Sequence, residues 1–223
     1  IWPMLGWLAG ARSPNGIPVL TGLEAVSPTS DDLKALCAAF GTTSAAPLLH
    51  IRGHTPESQL LPRPGADTFD ITVAHLARLW RDFNAADECV DLVAIGSPHA
   101  SLSECRNFAN YLDGKTCHRD TKTIVTMGRD VLSQAVKEGL VARLDKAGVQ
   151  IIPDICWCSI TEPIFPTSAS VVMTNSGKYS HYAKGLTGRD IRFGSLQDCA
   201  SVSCSGVANS GLPEWLLQQT DQA

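Results

Sequence analysis

Two cysteines separated by a single residue, Cys156 and Cys158, are the side chains of this 223-residue chain with the most specific chemistry. They follow a short apolar segment, 149–154, that is expected to be a strand. Thiolates bind iron and zinc well, and a strand-end loop can hold them rigidly. Cys199 follows another predicted strand, and because loops after neighbouring parallel strands converge, Cys156 and Cys199 could meet. Structural zinc sites normally use paired Cys-x-x-Cys units, and none occurs here. From spacing alone, packing cysteines are the favoured interpretation.

A second polar group could bind an acid. Asn175, Ser176 and Lys178 lie at a predicted helix start, where backbone N–H groups attract a carboxylate or phosphate. A helix cap followed by an exposed lysine fits the pattern equally well. His99 shares a strand-end loop with Ser97 and could be an acid, a base or a substrate donor, although a structural hydrogen bond is the commoner role for a loop histidine.

Two further candidates lie in the first part of the chain. Ser44 ends a run of hydroxyl residues that would also suit a turn, and His50 lies on a predicted strand, where a partly buried histidine with a structural hydrogen bond is the simpler explanation. No Gly-x-Ser-x-Gly nucleophile elbow occurs, so the sequence shows no serine hydrolase signature.

The elements that must position these residues alternate between strand and helix. Strands are predicted at 90–96, 121–128, 149–154, 170–174 and 191–194, and helices at 101–112, 129–147, 179–186 and 196–203. This alternation predicts the α/β class, with a parallel sheet flanked by helices on both faces. Function then collects in the loops after the carboxyl ends of the strands.

Two domains are expected. Residues 90–223 are predicted to form an α/β three-layer domain. Residues 1–89 are predicted to be a partial α/β segment that completes a domain whose first half is absent, with helices at 31–40 and 71–83, a strand at 48–51 and a loop at 53–68. Ser30 is the expected cap of the first helix. The apolar opening segment suggests a chain cut out of a longer one.

Composition narrows the function classes. Hydrophobic residues make up 44% and charged residues 18%, the balance of a globular protein, and the net charge is −4. Basic residues are scattered, so no nucleic-acid partner is expected. No apolar run is long enough for a membrane span, so no membrane partner is expected either. The eight cysteines, without a secretory signal, favour a reducing compartment, and we expect the cytoplasm.

Taken together, five segments resemble the aconitase X family, whose bacterial and fungal branch comprises the cis-3-hydroxy-L-proline dehydratases. They follow the family's order over nearly the whole chain: GTTSAAPLLHIRGHTPE (41–57), IGSPHASLSEC (95–105), PDICWCSITEPIFP (153–166), MTNSGKYSHYAKGLTGR (173–189) and RFGSLQDC (192–199). The chain is similar to the C-terminal part of the family's large catalytic portion, and an aconitase-like domain is the implied fold.

The resemblance implies a hydro-lyase in which a base removes the proton beside the substrate carboxylate while iron acts as a Lewis acid on the departing hydroxyl. By the family pattern, Cys156 and Cys199 would bind iron, as an iron–sulfur cluster ([2Fe–2S] expected) or as a mononuclear centre, with Cys158 in reserve. The implied catalytic residues are His99, Ser176 and Lys178. The implied substrate-binding residues are Ser44, Ser97 and Asn175.

The resemblance also implies missing parts. The remaining half of the large portion and a small swivelling domain or subunit would be partners, alongside a small hydroxy-acid substrate. The third metal ligand and the catalytic base would lie in those parts.

Alternatives stay open at this point. The substrate could be another hydroxy acid such as phosphomevalonate, and the chain could be a non-catalytic assembly subunit. A thiol redox protein that uses Cys156 and Cys158 is also possible.

Overall fold

The computed structural model describes residues 1–57, 59, 61–159 and 164–220. The chain divides into two compact units. The first comprises residues 1–79 with the segment from Pro213 onward, and the second comprises residues 80–212. Helix α3 (Val73–Phe83) runs across the division. In the described part of the chain, no helix has the length and apolar character needed to cross a membrane.

The second unit is built on a parallel five-stranded sheet, which confirms the predicted fold class. Its strands are β3 (Leu92–Ile95), β4 (Lys122–Met127), β5 (Val149–Pro153), β6 (Val171–Thr174) and β7 (Asp190–Phe193). Their spatial order is β5-β4-β3-β6-β7. Strands β4 and β5 are therefore added in sequence on one side of β3, and β6 and β7 are added in sequence on its other side. The strand order reverses between β3 and β6, where α/β sheets open a crevice at their carboxyl ends.

Alternate residues of strands β3 to β6 supply two apolar clusters, one on each face of this sheet. Val93 and Ile95 of β3 belong to one cluster, whereas Leu92 and Ala94 belong to the other. The first face is covered by α4 (Leu102–Tyr111), α5 (Arg129–Lys137), α6 (Leu140–Lys146) and α8 (Leu196–Ser205). The second face is covered by α7 (Gly177–Thr187) and by a short 3-10 turn, Trp157–Ser159. Burial on both faces explains why these strands lack polar alternation.

Local signals explain where the helices begin and end. Ser101 and Glu104 form the predicted capping box of α4. The single helix predicted over 129–147 is wrong, because the chain breaks it into α5 and α6 at Gly139, which adopts φ 72°. Glycine reaches this left-handed conformation without the steric cost that a Cβ would add.

Arg192 ties the last strand to its surroundings from a fully buried position, 1% exposed. Nη1 donates to the carbonyls of Asn84 (2.7 Å) and Ala86 (3.0 Å), and Nη2 donates to the carbonyl of Asn209 (2.8 Å). Burial lowers the pKa of this guanidinium. Through these three hydrogen bonds to neutral carbonyls, Arg192 holds the segments around residues 84–86 and 209 against β7.

The first unit contains α1 (Trp2–Arg12), β1 (Val19–Leu20), α2 (Ser30–Thr43), β2 (His50–Ile51) and α9 (Glu214–Thr220). The cap of α2 is Thr29, which forms a capping box with Asp32, so the expectation of Ser30 is wrong by one residue. The sequence did not predict α1, because its apolar face has no polar counterpart and Ile1 offers no capping side chain.

Helices α1 and α2 approach closely through Gly6. A Cβ built at Gly6 would lie 2.0 Å from the carbonyl oxygen of Leu36, a residue that is itself fully buried. The contact is with backbone, which cannot rotate away. Glycine at this position is therefore a packing requirement of the two helices.

We expect Gly6→Ala to destabilise the chain by roughly 1–3 kcal/mol, the usual cost of overpacking a filled core. The matched control is Gly41→Ala in α2, where nothing lies within 4 Å of the added methyl. That control should gain roughly 0.5–1 kcal/mol from helix propensity. Urea unfolding of both variants tests the pair, and equal stabilities would contradict the packing argument.

Candidate functional site

The candidate site lies where the strand order reverses. The loop after β3 carries Ser97, which is 3% exposed, and the loop after β6 carries Ser176, which is 7% exposed. The Ser176 hydroxyl donates to the backbone carbonyl of Ser97 and accepts from the backbone N–H of Tyr179 at 3.1 Å. Since both roles are structural, Ser176 joins the two loops and begins α7. Asn175 and Lys178 flank it in half-buried positions.

The loop after β5 brings two thiols to this place. The sulfur of Cys156 lies 2.9 Å from the sulfur of Cys158 and 4.0 Å from Oγ of Ser97. Because β4 separates β5 from β3 in the sheet, the loop must extend over the end of one strand to make these contacts. The structure therefore brings Cys156, Cys158 and Ser97 together, beside the start of α7.

The two thiols titrate in opposite directions. Burial opposes ionisation of Cys156, but hydrogen bonds from the side chain and backbone of Cys158, the charge of Lys178 and the Ser97 hydroxyl outweigh it and lower the pKa of Cys156. Burial and the hydrogen bond to Cys156 raise the pKa of Cys158. The hydrogen bond between the two sulfurs therefore favours ionisation of Cys156 over that of Cys158.

Trp157, between the two cysteines, anchors the loop. It is fully buried, and its ring packs edge-on against Tyr179 of α7 with a centroid distance of 4.2 Å. The ring of Phe165 also packs against it, tilted, with a centroid distance of 6.0 Å. Because Tyr179 directly follows Lys178, this packing fixes the thiols relative to the lysine that influences them.

His99 lies at the entrance to the same loop. Its Nε2 is 3.0 Å from the carbonyl oxygen of Ile155, the residue before Cys156. Asp154 begins the loop and pairs with Arg129 at the start of α5. Those hydrogen bonds, from the side chain first and then the backbone of Arg129, lower the pKa of Asp154. The sequence patterns did not identify Arg129, Asp154 or Trp157 as site residues, although all three lie at or just after the end of a predicted strand.

Cys199 has a different environment. It is fully buried on α8, in the apolar cluster of the first face, whereas Cys156 packs against the cluster of the second face. Burial raises the pKa of Cys199 well above its usual range. Moreover, β5 and β7 are not neighbours but the two outer strands of the sheet, so the premise that their loops converge does not hold. Iron binding by Cys199 stays a prediction.

Ser44 and His50 belong to the first unit. The Ser44 hydroxyl donates to the carbonyl of Ser13 at 2.6 Å and accepts from the backbone N–H of Ala46 at 3.1 Å, as expected for a turn. His50 lies on β2, with Nδ1 3.9 Å from the Glu57 carboxylate. The hydrogen bonds of Ser44 are those of a structural residue, whereas Nδ1 of His50 is buried and has no hydrogen-bond partner among the described residues. The functional roles of both residues stay predictions.

The fold and the site together define an α/β protein with a thiol-bearing loop at the reversal point of a parallel sheet. Residues 90–205 match the family model described as the aconitase X third domain, and residues 1–81 match the aconitase X second domain. The chain belongs to the aconitase X family. The Glu162-Pro163 pair of the resembling segment lies outside the described residues.

Relatives agree with this assignment. The chain is 39% identical to a cis-3-hydroxy-L-proline dehydratase of Hypocrea jecorina over 96% of its own length and 37% of the relative's. It is also 39% identical to one of Pseudomonas aeruginosa, over 97% and 38%. The holo-form crystal structure of Thermococcus kodakaraensis aconitase X superposes with a TM-score of 0.78 at 25% identity, over 91% of this chain and 51% of that one. The chain thus spans less than two fifths of these curated relatives.

We expect Lys178→Gln to slow alkylation of Cys156 at neutral pH. Removing the positive charge raises the pKa of the thiol, so less thiolate is present and the pH–rate curve moves to higher pH. Lys184→Gln, on the same helix but paired with Asp190, is the matched control and should leave the curve in place. Rates with iodoacetamide, followed by mass spectrometry of the modified peptide, decide the outcome, and superimposable curves for all three chains would contradict it.

Proposed function

We propose that this chain supplies part of the active site of a hydro-lyase that removes water from cis-3-hydroxy-L-proline, giving a pyrroline-2-carboxylate. The observation that carries the proposal is the thiol pair of Cys156 and Cys158 at the sheet reversal, beside Ser97 and Lys178. Its support is the identity to dehydratases named for this substrate. The parts of those relatives that this chain does not span would complete the enzyme.

The donor set fits part of an iron site. A half-buried cysteine with a lowered pKa and a second sulfur 2.9 Å away matches the preference of iron for sulfur ligands. Among the residues the structure describes, no three His, Cys, Asp or Glu side chains come together as a metal site, so further ligands would have to come from elsewhere. The buried position of Cys199 on the opposite face favours Cys158 as the sulfur that accompanies Cys156. The centre would be a [2Fe–2S] cluster or mononuclear iron, which would supply Lewis acidity toward the departing hydroxyl.

The other candidate residues would bind the substrate, hold the loops and transfer a proton. Lys178 and the backbone at the start of α7 would attract the substrate carboxylate, since a helix N-terminus favours negative charge. Asn175 would orient the substrate beside them. Ser97 would line the site next to the thiolate, and Ser176 would hold the two loops together. His99, half-buried and fixed to the carbonyl of Ile155, would be a proton donor or acceptor at the entrance.

A second candidate function follows from the same 2.9 Å contact. Cys156 and Cys158 could form a reversible disulfide in a thiol redox protein, which needs no iron. Iron analysis and visible absorbance of the anaerobically purified complete protein separate the two. The dehydratase proposal expects bound iron with a sulfur-to-iron charge-transfer band, and the redox proposal expects neither.

Cys156→Ser, introduced into the complete protein, should remove iron and dehydratase activity together, because the hydroxyl that replaces the thiolate is a poor iron ligand. Cys89→Ser is the control, since that thiol is exposed. Iron per chain and dehydration of cis-3-hydroxy-L-proline are measured in parallel. An iron-replete, active Cys156→Ser protein would refute the assignment.

A further inference from the structure

Asp154, which joins β5 to the thiol loop, has an unusual backbone conformation. Its φ is 59°, and it is the one non-glycine residue with positive φ in the described part of the chain. A side chain with a Cβ adopts this region at an energetic cost, which aspartate tolerates better than most residues. Such a conformation persists only where its surroundings enforce it, and it concentrates at functional sites.

Arg129 and Met127 contact the residue in this conformation. The Asp154 carboxylate accepts from the backbone N–H of Arg129 at 2.9 Å and from Nε at 2.7 Å, and Nη2 lies 2.6 Å away. The backbone N–H of Asp154 donates to the carbonyl of Met127 at 2.9 Å. Gly128, the N-cap of α5, has no side chain to cap the helix, so the Asp154 carboxylate supplies the acceptor and the negative charge there.

The residues after Asp154 carry two parts of the candidate site. The carbonyl of Ile155 contacts Nε2 of His99, which comes from the β3 loop. The next residue is Cys156, whose sulfur contacts Cys158 and Ser97. The direction in which the chain leaves β5 at Asp154 therefore determines where both the imidazole and the thiol lie.

We propose that Asp154 and Arg129 are positioning residues of the active site: their pairing holds the left-handed turn that places the Ile155 carbonyl against His99 and Cys156 beside Cys158. Neither residue is assigned a contact with the reacting atoms. The catalytic meaning of this inference rests on the proposed function, but its structural content does not.

Two variants test the pairing while leaving the backbone conformation attainable. Arg129→Ala removes the guanidinium, and Asp154→Asn removes the charge but keeps a residue that tolerates positive φ. Hydrogen–deuterium exchange of the 155–158 amides should quicken roughly threefold or more in both variants, as expected for losing an exposed ion pair. The ring C–H resonances of His99 should shift in both. In the complete protein, iron should pass to a chelator faster.

The matched control is Arg106→Ala, which removes another exposed bidentate pair of the same unit, that of Arg106 with Glu138. It should change neither the exchange of 155–158 nor the His99 resonances. The inference is overturned if folded Arg129→Ala and Asp154→Asn chains keep the parent's exchange and resonances, or if the control changes them equally. Because hydrogen–deuterium exchange and the His99 resonances do not depend on iron, they can contradict the positioning role while the dehydratase proposal stands. An iron-replete, active Cys156→Ser enzyme would contradict the dehydratase proposal and leave the positioning role intact.

Discussion

The reversal of strand order between β3 and β6 is the constraint on which the candidate site depends. Connections leave these two neighbouring strands toward opposite faces, so their carboxyl ends are not covered by a common crossover. The hydrogen bond from Ser176 to the Ser97 carbonyl spans this gap at its base. The start of α7 and the β3 loop meet at that bond, and Cys156 of the thiol loop contacts Ser97 beside it.

The thiol loop combines a buried anchor with exposed chemistry. Trp157 commits the loop to the apolar cluster under α7, whereas Cys156, its neighbour, stays half-buried with its sulfur at the crevice. With Trp157 and Cys158 buried and Cys156 half-buried, one short segment can be rigid and reactive at once. The electrostatic asymmetry of the thiols follows, because the fixed distance to Cys158 and the fixed position of Lys178 stabilise the charge on Cys156.

Sequence patterns predicted the elements better than their spatial order. The apolar runs of β3 to β7 and the box of Ser101 with Glu104 are local signals, and the structure confirms them. Strand order is not local, so nothing in the sequence showed that β5 and β7 form opposite edges of the sheet. The contact of Asp154 with Arg129 joins residues 25 positions apart, and for the same reason it left no local pattern. The aconitase X resemblance supplied candidate residues, but not which of them lie together.

Arg192 has a consequence for behaviour in acid. The Asp91 carboxylate accepts hydrogen bonds from the backbone N–H groups of Ser170 and Val171, which lower its pKa. Such hydrogen bonds weaken as the pH falls and the carboxylate is protonated. The three acceptors of Arg192 are peptide oxygens, which do not protonate in that range. The hydrogen bonds of Arg192 on β7 should therefore persist to lower pH than those of Asp91. Acid should loosen the amino end of β6 before it detaches β7.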